Sequence, residues 1–288
     1  MLLIYHNQPF HFEIVESVIV KHNIILKKQF PINEIYLFTI CQEYTAYVNK
    51  VFPLINVINN PKDASNIYFN YLIDINLYPD PKHKIAININ YPFKFQEIFF
   101  ISHRVVSYFV SNKNIFFLTP LCGNNRYLEC DILPKLSLTK TKVPIFCIQG
   151  CMSTKKRNYK LLTAILSKEY TQEFKIRLVG KGVLPNDLSK YKNQLEVLQN
   201  LSFEEYHKSF HDVFCIISLI SHKSHPQYYS STLTSTINYA KGYNLHCMID
   251  EELQKIYKLK NTIIFNDDND ICIAFQNALT LFHDETRL

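Results

Sequence analysis

Short apolar runs alternate with stretches of helical periodicity along almost the whole chain, the pattern of an α/β protein built on parallel strands. Leu2–Tyr5 reads as a strand. After Asn7-Gln8-Pro9 comes a helix with Ile14, Val15, Val18 and Ile19 on one face, and Pro9 suits its first turn because the missing N–H costs nothing there. Further apolar runs are Ile35–Ile40, Leu54–Ile58, Ile67–Phe69, Ile85–Ile89, Ile98–Ile101 and Ile115–Leu118, with less distinct helices between them. The stretch Pro61–Pro92 is turn-rich and reads as a place for an insertion. Pro134–Lys142 is polar, basic and proline-led, and reads as an interdomain linker.

The second half is more regular. Val143–Ile148 predicts a strand ending in Gln149-Gly150, followed by a basic loop and a helix carrying Leu161, Leu162, Ile165 and Leu166. Phe174–Val179 and Leu195–Leu198 read as the next strands, the first closed by Gly180-Lys181-Gly182. Ser202 and Glu205 form a capping-box pattern ahead of a helix with Phe203, Tyr206 and Phe210 on one side. Val213–Ile220 predicts a buried central strand, and Thr234–Lys241 a helix stopped by Gly242. Leu245–Ile249 and Thr262–Phe265 are strands, Asp250 caps the helix between them, and an amphipathic helix closes the chain.

Length and composition fit this picture. The 288 residues suit two domains, and a hydrophobic fraction of 47% with 21 Phe and 19 Tyr is enough to build their cores. The boundary is expected at 137/138: an N-terminal domain 1–137 and a C-terminal domain 138–288 whose last helix crosses back. The net charge of +6 is mild, and its densest cluster, Lys155, Lys156, Arg157 and Lys160, is local. That favours a phosphate-bearing small molecule over nucleic acid. The eight cysteines form no C-x-x-C pair and read as reduced, buried, small hydrophobes of a cytoplasmic protein, without zinc. No signal peptide is evident at Met1–Phe12, and the longest apolar stretch, Val213–Ile220, is far short of the ~20 residues that span a bilayer.

From Ile145 to Gly242 the order of signals resembles the donor-binding domain of GT-B glycosyltransferases, in particular the family 4-like group. The matching pieces are Ile145–Gly150, the segment Lys156-Arg157-Asn158 with its Leu-Leu helix, and Ile176–Gly180. They continue with Leu198–Glu205, His211-Asp212-Val213 and the Ser/Thr-rich helix ending Ala240-Lys241-Gly242. The resemblance implies two Rossmann-like domains with a cleft between them. It implies a metal-independent, hexosyltransferase-like enzyme of glycan synthesis, without cofactor, that moves a sugar from a nucleotide-diphosphate donor to a hydroxyl of a glycan or other acceptor. The C-terminal domain would bind the nucleotide sugar and the N-terminal domain the acceptor. Family 4-like enzymes carry two glutamates in the last Ser/Thr-rich region; here His225–Thr236 contains no carboxylate, so those roles pass to no residue. A non-catalytic binding or assembly protein on the same fold is the alternative.

Candidate residues follow from local chemistry. Gly150 at a strand-to-helix turn lets the backbone approach a phosphate, and Lys156 and Arg157 beside it would neutralise a departing diphosphate; a solvated basic loop is the plain alternative. Thr234, Ser235 and Thr236 open a helix whose N–H groups and hydroxyls suit an anion, although Ser and Thr are ordinary caps. Gly180, Leu198 and Asn200 would flank the nucleoside. For Tyr206 core packing is the favoured reading. His11, at the start of the first helix, and His103 are candidate catalytic bases, since His titrates near neutrality; His222 and His225 lie after the central strand, near donor or acceptor. No metal-ligand spacing occurs. Hydrolase, dinucleotide and P-loop fingerprints are absent.

Overall fold

Parallel strands must be joined by crossovers and are buried on both faces, so an alternating chain of this length resolves into doubly wound sheets. The computed structural model describes residues 1–8, 12–77, 91–102, 104–105, 113–122, 126–130, 138–266 and 270–287. The chain forms two units, Met1–Leu133 with Ser231–Leu233, and Pro134–Ser230 with Thr234–Leu288.

The first unit contains β1 (Leu2–His6), α1 (Phe12–Leu26), β2 (Ile35–Thr39), α2 (Gln42–Val51) and β3 (Asn56–Ile58), then β4 (Tyr68–Leu77), β5 (Lys94–Ser102) and β6 (Ile115–Phe117). All pair in parallel in the order β3-β2-β1-β4-β5-β6. The main departure from the sequence pattern is β4. It occupies the stretch read as turn-rich and sits at the centre of the sheet, with Leu3 opposite Leu72 and Leu72 opposite Ile98. Asn70 and Asp74 interrupt its apolar run, yet both are satisfied. Asn70 Oδ1 accepts from the N-terminal amine at 2.8 Å, and the buried Asp74 carboxylate accepts from the Tyr91 hydroxyl at 2.5 Å. The run Ile85–Ile89 lies outside the described residues.

The second unit contains β7 (Ile145–Gln149), α3 (Tyr159–Leu166), β8 (Lys175–Gly180), β9 (Leu195–Gln199), α4 (Phe203–Lys208) and β10 (Cys215–Ile217). It continues with α5 (Gln227–Ser230), α6 (Ser235–Gly242), β11 (His246–Asp250), α7 (Glu251–Tyr257), β12 (Thr262–Phe265) and α8 (Ile271–Arg287). Its parallel order is β12-β11-β10-β7-β8-β9. Counted from the first strand of each unit, both sheets run 3-2-1-4-5-6, the Rossmann order. The Ser202–Glu205 capping box forms, and Asp250 accepts from the Glu252 and Leu253 N–H groups. Two local expectations fail. β10 ends at Ile217, because Leu219 turns into the left-handed region at φ 46°, although Leu219 and Ile220 stay fully buried. Gly242 lies inside α6; the left-handed position is Asn244, at φ 53°.

Burial on β7 anchors this unit. Phe146 is fully buried, its ring centroid 4.4 Å from that of Phe275 on α8, 6.0 Å from Phe214 and 6.5 Å from Phe174. Ile271, Phe275, Ala278 and Leu279 of α8 join Leu161, Leu162 and Ile165 of α3 in the same core. Burial raises the thiols of Cys147, Cys215 and Cys247, the last to about 12. Among the described residues no helix is long and apolar enough to cross a membrane. Phe146→Ala should destabilise the second unit by about 3–5 kcal/mol, as large-to-small changes of a core aromatic do. Ile273→Ala, on the exposed side of α8, should stay within about 0.5 kcal/mol. Urea unfolding midpoints of the two variants check the contrast.

Candidate functional site

In an open parallel sheet the connections leaving two adjacent central strands diverge, and the crevice at their carboxyl ends is where a ligand fits. In the second unit those strands are β7 and β10. β7 ends at Gln149-Gly150, and the Gly150 N–H donates to the Val179 carbonyl of β8 at 2.8 Å. Gly150 has φ 110°, and a Cβ on it would lie 2.9 Å from Arg157 Nη2. A Cβ on Gly180 would lie 1.8 Å from the Gly150 carbonyl oxygen, so both positions require glycine for the two strand ends to meet.

Into this turn folds Arg157, only 4% exposed. Its Nη2 donates to the Gln149 carbonyl and to Thr236 Oγ1, both at 2.7 Å, and its Nη1 donates to the Lys156 carbonyl at 2.8 Å. Thr236 Oγ1 in turn faces Gln149 Oε1 at 3.3 Å, Ser235 Oγ faces the same oxygen at 3.4 Å, and Gln149 Nε2 donates to the Tyr206 hydroxyl at 2.6 Å. Arg157 Nε is buried and has no partner. Every partner of this guanidinium is neutral.

Arg177 on β8 is the ordinary contrast. It is 7% exposed, but it pairs with Glu196 at 2.7 Å and with Asp212 at 2.5 Å. Burial works to raise the Asp212 carboxyl, and the Arg177 hydrogen bond and charge overcome it and hold the group below 3.8. A buried charge without such compensation costs several kcal/mol. The Arg157 site is therefore electrostatically incomplete and suited to an anion.

The helix ends at this edge agree. Thr234 precedes α6 without capping it through its side chain, and its buried Oγ1 has no partner. Asn158 precedes α3, also without a side-chain cap; its N–H donates to the Leu219 carbonyl at 2.7 Å. The first-turn N–H groups of α6 thus point their dipole at the crevice beside a buried cation. Leu219, in a backbone region costly for a side-chain-bearing residue, sits in the loop opposite, and the buried Ser218 hydroxyl beside it is unpartnered.

Of the expected phosphate residues, Gly150, Arg157, Ser235 and Thr236 come together directly, with Thr234 at the same helix start. Lys156 is exposed next to them, and its carbonyl holds Arg157. Gly180 abuts Gly150. Leu198 is half-buried on β9, and Asn200 is exposed in the turn after it at φ 54°; they lie two strands, about 10 Å, from β7. The loops between are laced together: Met152 N–H donates to the Lys181 carbonyl at 2.7 Å, and Gln199 Nε2 donates to the Gly182 carbonyl and approaches Met152 Sδ. His11 and His103 lie outside the described residues. In the sequence Gln149 reads only as the end of a strand and Tyr206 as a core residue. Tyr206 does pack on Phe210 and Tyr239, and its hydroxyl also fixes Gln149. Among the described residues no group of three or more His, Cys, Asp or Glu side chains could hold a metal ion.

No protein-family model and no curated protein matches the chain. Solved structures do, over nearly its whole length. Alr3699/HepE of Anabaena, in complex with UDP and glucose, is 10% identical with a TM-score of 0.59, covering 99% of this chain and 90% of its own. AviGT4, a glycosyltransferase involved in avilamycin A biosynthesis, is 10% identical with a TM-score of 0.58, covering 97% and 88%. A glycosyltransferase from Rickettsia africae ESF-5 is 13% identical with a TM-score of 0.52, covering 97% and 88%. The chain has the two-Rossmann-unit fold of the GT-B glycosyltransferases.

Two outcomes test the local geometry. Gly180→Ala places a methyl group inside the van der Waals radius of a backbone oxygen and should lower the urea midpoint by more than 2 kcal/mol equivalent (about the cost of overpacking). Because the Asp212 carboxyl is held down in the folded state, its stabilisation is present above about pH 4 and is lost as pH falls through the lowered value. Asp212→Asn should reduce stability at pH 7 and flatten its decline below about pH 4 in pH-dependent urea titrations.

Proposed function

We propose that this chain is a glycosyltransferase that moves a sugar from a nucleotide-diphosphate sugar to an acceptor hydroxyl, its second unit holding the nucleotide. The observation that carries the reading is Arg157, a buried guanidinium with only neutral partners at the switch point of a Rossmann sheet, beside the uncapped start of α6. In sugar transfer the bond between sugar and diphosphate breaks, and negative charge grows on the leaving phosphate oxygen. Fixed donors aimed at that charge lower the barrier without having to reorganise. Arg157, the α6 N–H groups and the exposed Lys156 would take it up, with no metal required in this reading. Gly150 allows the phosphate close backbone approach, and Gly180, Leu198 and Asn200 would border the nucleoside. The fold shared with HepE, whose structure holds UDP and glucose, supports a nucleotide sugar as ligand. His11 and His103 of the first unit are the candidate bases for the acceptor hydroxyl.

One feature favours a second reading. The segment 225–236 has no carboxylate, so a protein that binds nucleotide sugars without turning them over is the alternative. Transfer or hydrolysis of any nucleotide sugar excludes it.

The test is a thermal-shift screen with UDP-, GDP-, dTDP- and CMP-linked sugars. A ligand at 100 times its Kd stabilises the native state by about 2.7 kcal/mol, which should raise Tm by several degrees. The shift should shrink in Lys156→Gln, whose side chain is exposed, and should vanish in Thr236→Val. A wild-type protein unmoved by all four nucleotides sinks the proposal.

A further inference from the structure

Gln149, the last residue of β7, is 5% exposed, and both ends of its amide are bonded. Nε2 donates to the Tyr206 hydroxyl on α4 at 2.6 Å, and Oε1 faces the hydroxyls of Thr236 at 3.3 Å and Ser235 at 3.4 Å in the first turn of α6. A guanidinium only donates, so the 2.7 Å contact from Arg157 Nη2 makes Thr236 Oγ1 an acceptor there. The single proton of that hydroxyl then goes to Gln149 Oε1. Gln149 thus holds Arg157 twice, directly through its backbone carbonyl at 2.7 Å and, by its side chain, through Thr236.

Position 149 is also where the charge of Arg157 could have been cancelled. Arg177 on β8 is compensated in that way, by the carboxylates of Glu196 and Asp212. A Glu side chain matches Gln in length and shape, and a carboxylate at 149 would find the same partners. The Ser235 and Thr236 hydroxyls donate to one oxygen, and the Tyr206 hydroxyl turns to donate to the other. That carboxylate would stand one hydroxyl oxygen away from the guanidinium. The chain carries the neutral amide instead, which makes the same contacts and leaves the charge in place.

We infer that Gln149 is the positioning residue of the anion site: through Thr236 it holds Arg157 at the end of β7, and its neutrality leaves the guanidinium charge for a phosphate. The inference rests on the nucleotide reading above and deepens it. Gln149 acts through Thr236 and Arg157 rather than on the ligand itself. A residue that only braced the fold would move stability and affinity in the same direction when changed. A residue that sets the charge of the site moves them in opposite directions, because a carboxylate that stabilises Arg157 competes with the phosphate for it.

Gln149→Glu is the deciding variant, with Gln149→Leu beside it. In the ligand-free protein at pH 7, Gln149→Glu should raise the urea midpoint above that of the wild type. Gln149→Leu leaves the Thr236 hydroxyl proton without its acceptor and should lower it. Calorimetry with UDP-glucose at the same pH should show Gln149→Glu binding about 10- to 100-fold more weakly than the wild type, the scale of one added charge at short range and an effective dielectric of about 20. A protonated Glu reproduces the amide, with O–H in place of N–H, and a bound phosphate favours that form. The deficit relative to the wild type should therefore shrink as pH is lowered from about 7.5 to 5. A urea midpoint of Gln149→Glu at or below that of the wild type overturns the inference whether or not UDP-glucose binds. Undiminished affinity, or a deficit that stays constant with pH, overturns it and leaves the nucleotide reading intact. Failure of the wild type to bind UDP-glucose sinks the nucleotide reading, and the urea comparison then decides by itself whether Gln149 sets the charge of Arg157.

Discussion

The carboxyl edge of the second sheet is organised around one buried guanidinium. Arg157 ties the last residue of β7 to the first turn of α6 through the Gln149 carbonyl and Thr236 Oγ1, and Gly150 must lack a side chain for it to fit. Through Gln149 the same network reaches Tyr206 on α4, so three connections of the sheet are fixed by one charged group. Arg177, a few residues along β8, shows how the fold buries such a group when stability alone is at stake: it gives it two carboxylates. Arg157 receives dipoles and an open helix end instead. The two arginines differ in how their charge is compensated: by carboxylates at Arg177, by neutral groups alone at Arg157.

That arrangement has a physical cost spread over the neighbouring loops. Leu219 occupies a left-handed backbone position, and the side chains of Ser218, Thr234 and His225 bury polar atoms without partners. Unpaired buried groups and backbone strain gathered at a strand-end crevice are what a preorganised binding site looks like before its ligand completes it.

Much of this was legible in the chain. Glycines after β7 and β8, the basic loop and the Thr234–Thr236 helix start are local features, and local chemistry located them. The capping box at Ser202 and the Asp250 cap formed because each satisfies backbone N–H groups within three residues. β4 was obscured, because Asn70 and Asp74 break its apolar run, and what makes them acceptable inside a sheet are partners far away, the N-terminal amine and Tyr91. Tyr206 reads as a core residue; it is half-buried, packs on Phe210 and Tyr239, and its hydroxyl finds Gln149 across 57 positions of sequence. The length of β10 was overestimated because a buried loop is as apolar as a buried strand.

The sequence by itself determined the α/β class, the alternation into two sheets and the glycine turns after β7 and β8, since these depend on periodicity, turns and caps that neighbouring residues settle. Tertiary structure alone decided which members of the basic cluster turn inward. Lys155 and Lys156 stay in solvent, whereas Arg157 is buried against a threonine 79 residues away. It also decided that Ser221, Ser224 and His225, in the loop after β10, join in one hydrogen-bonded line. Burial and charge compensation are properties of the space around a side chain, and only the folded chain defines that space.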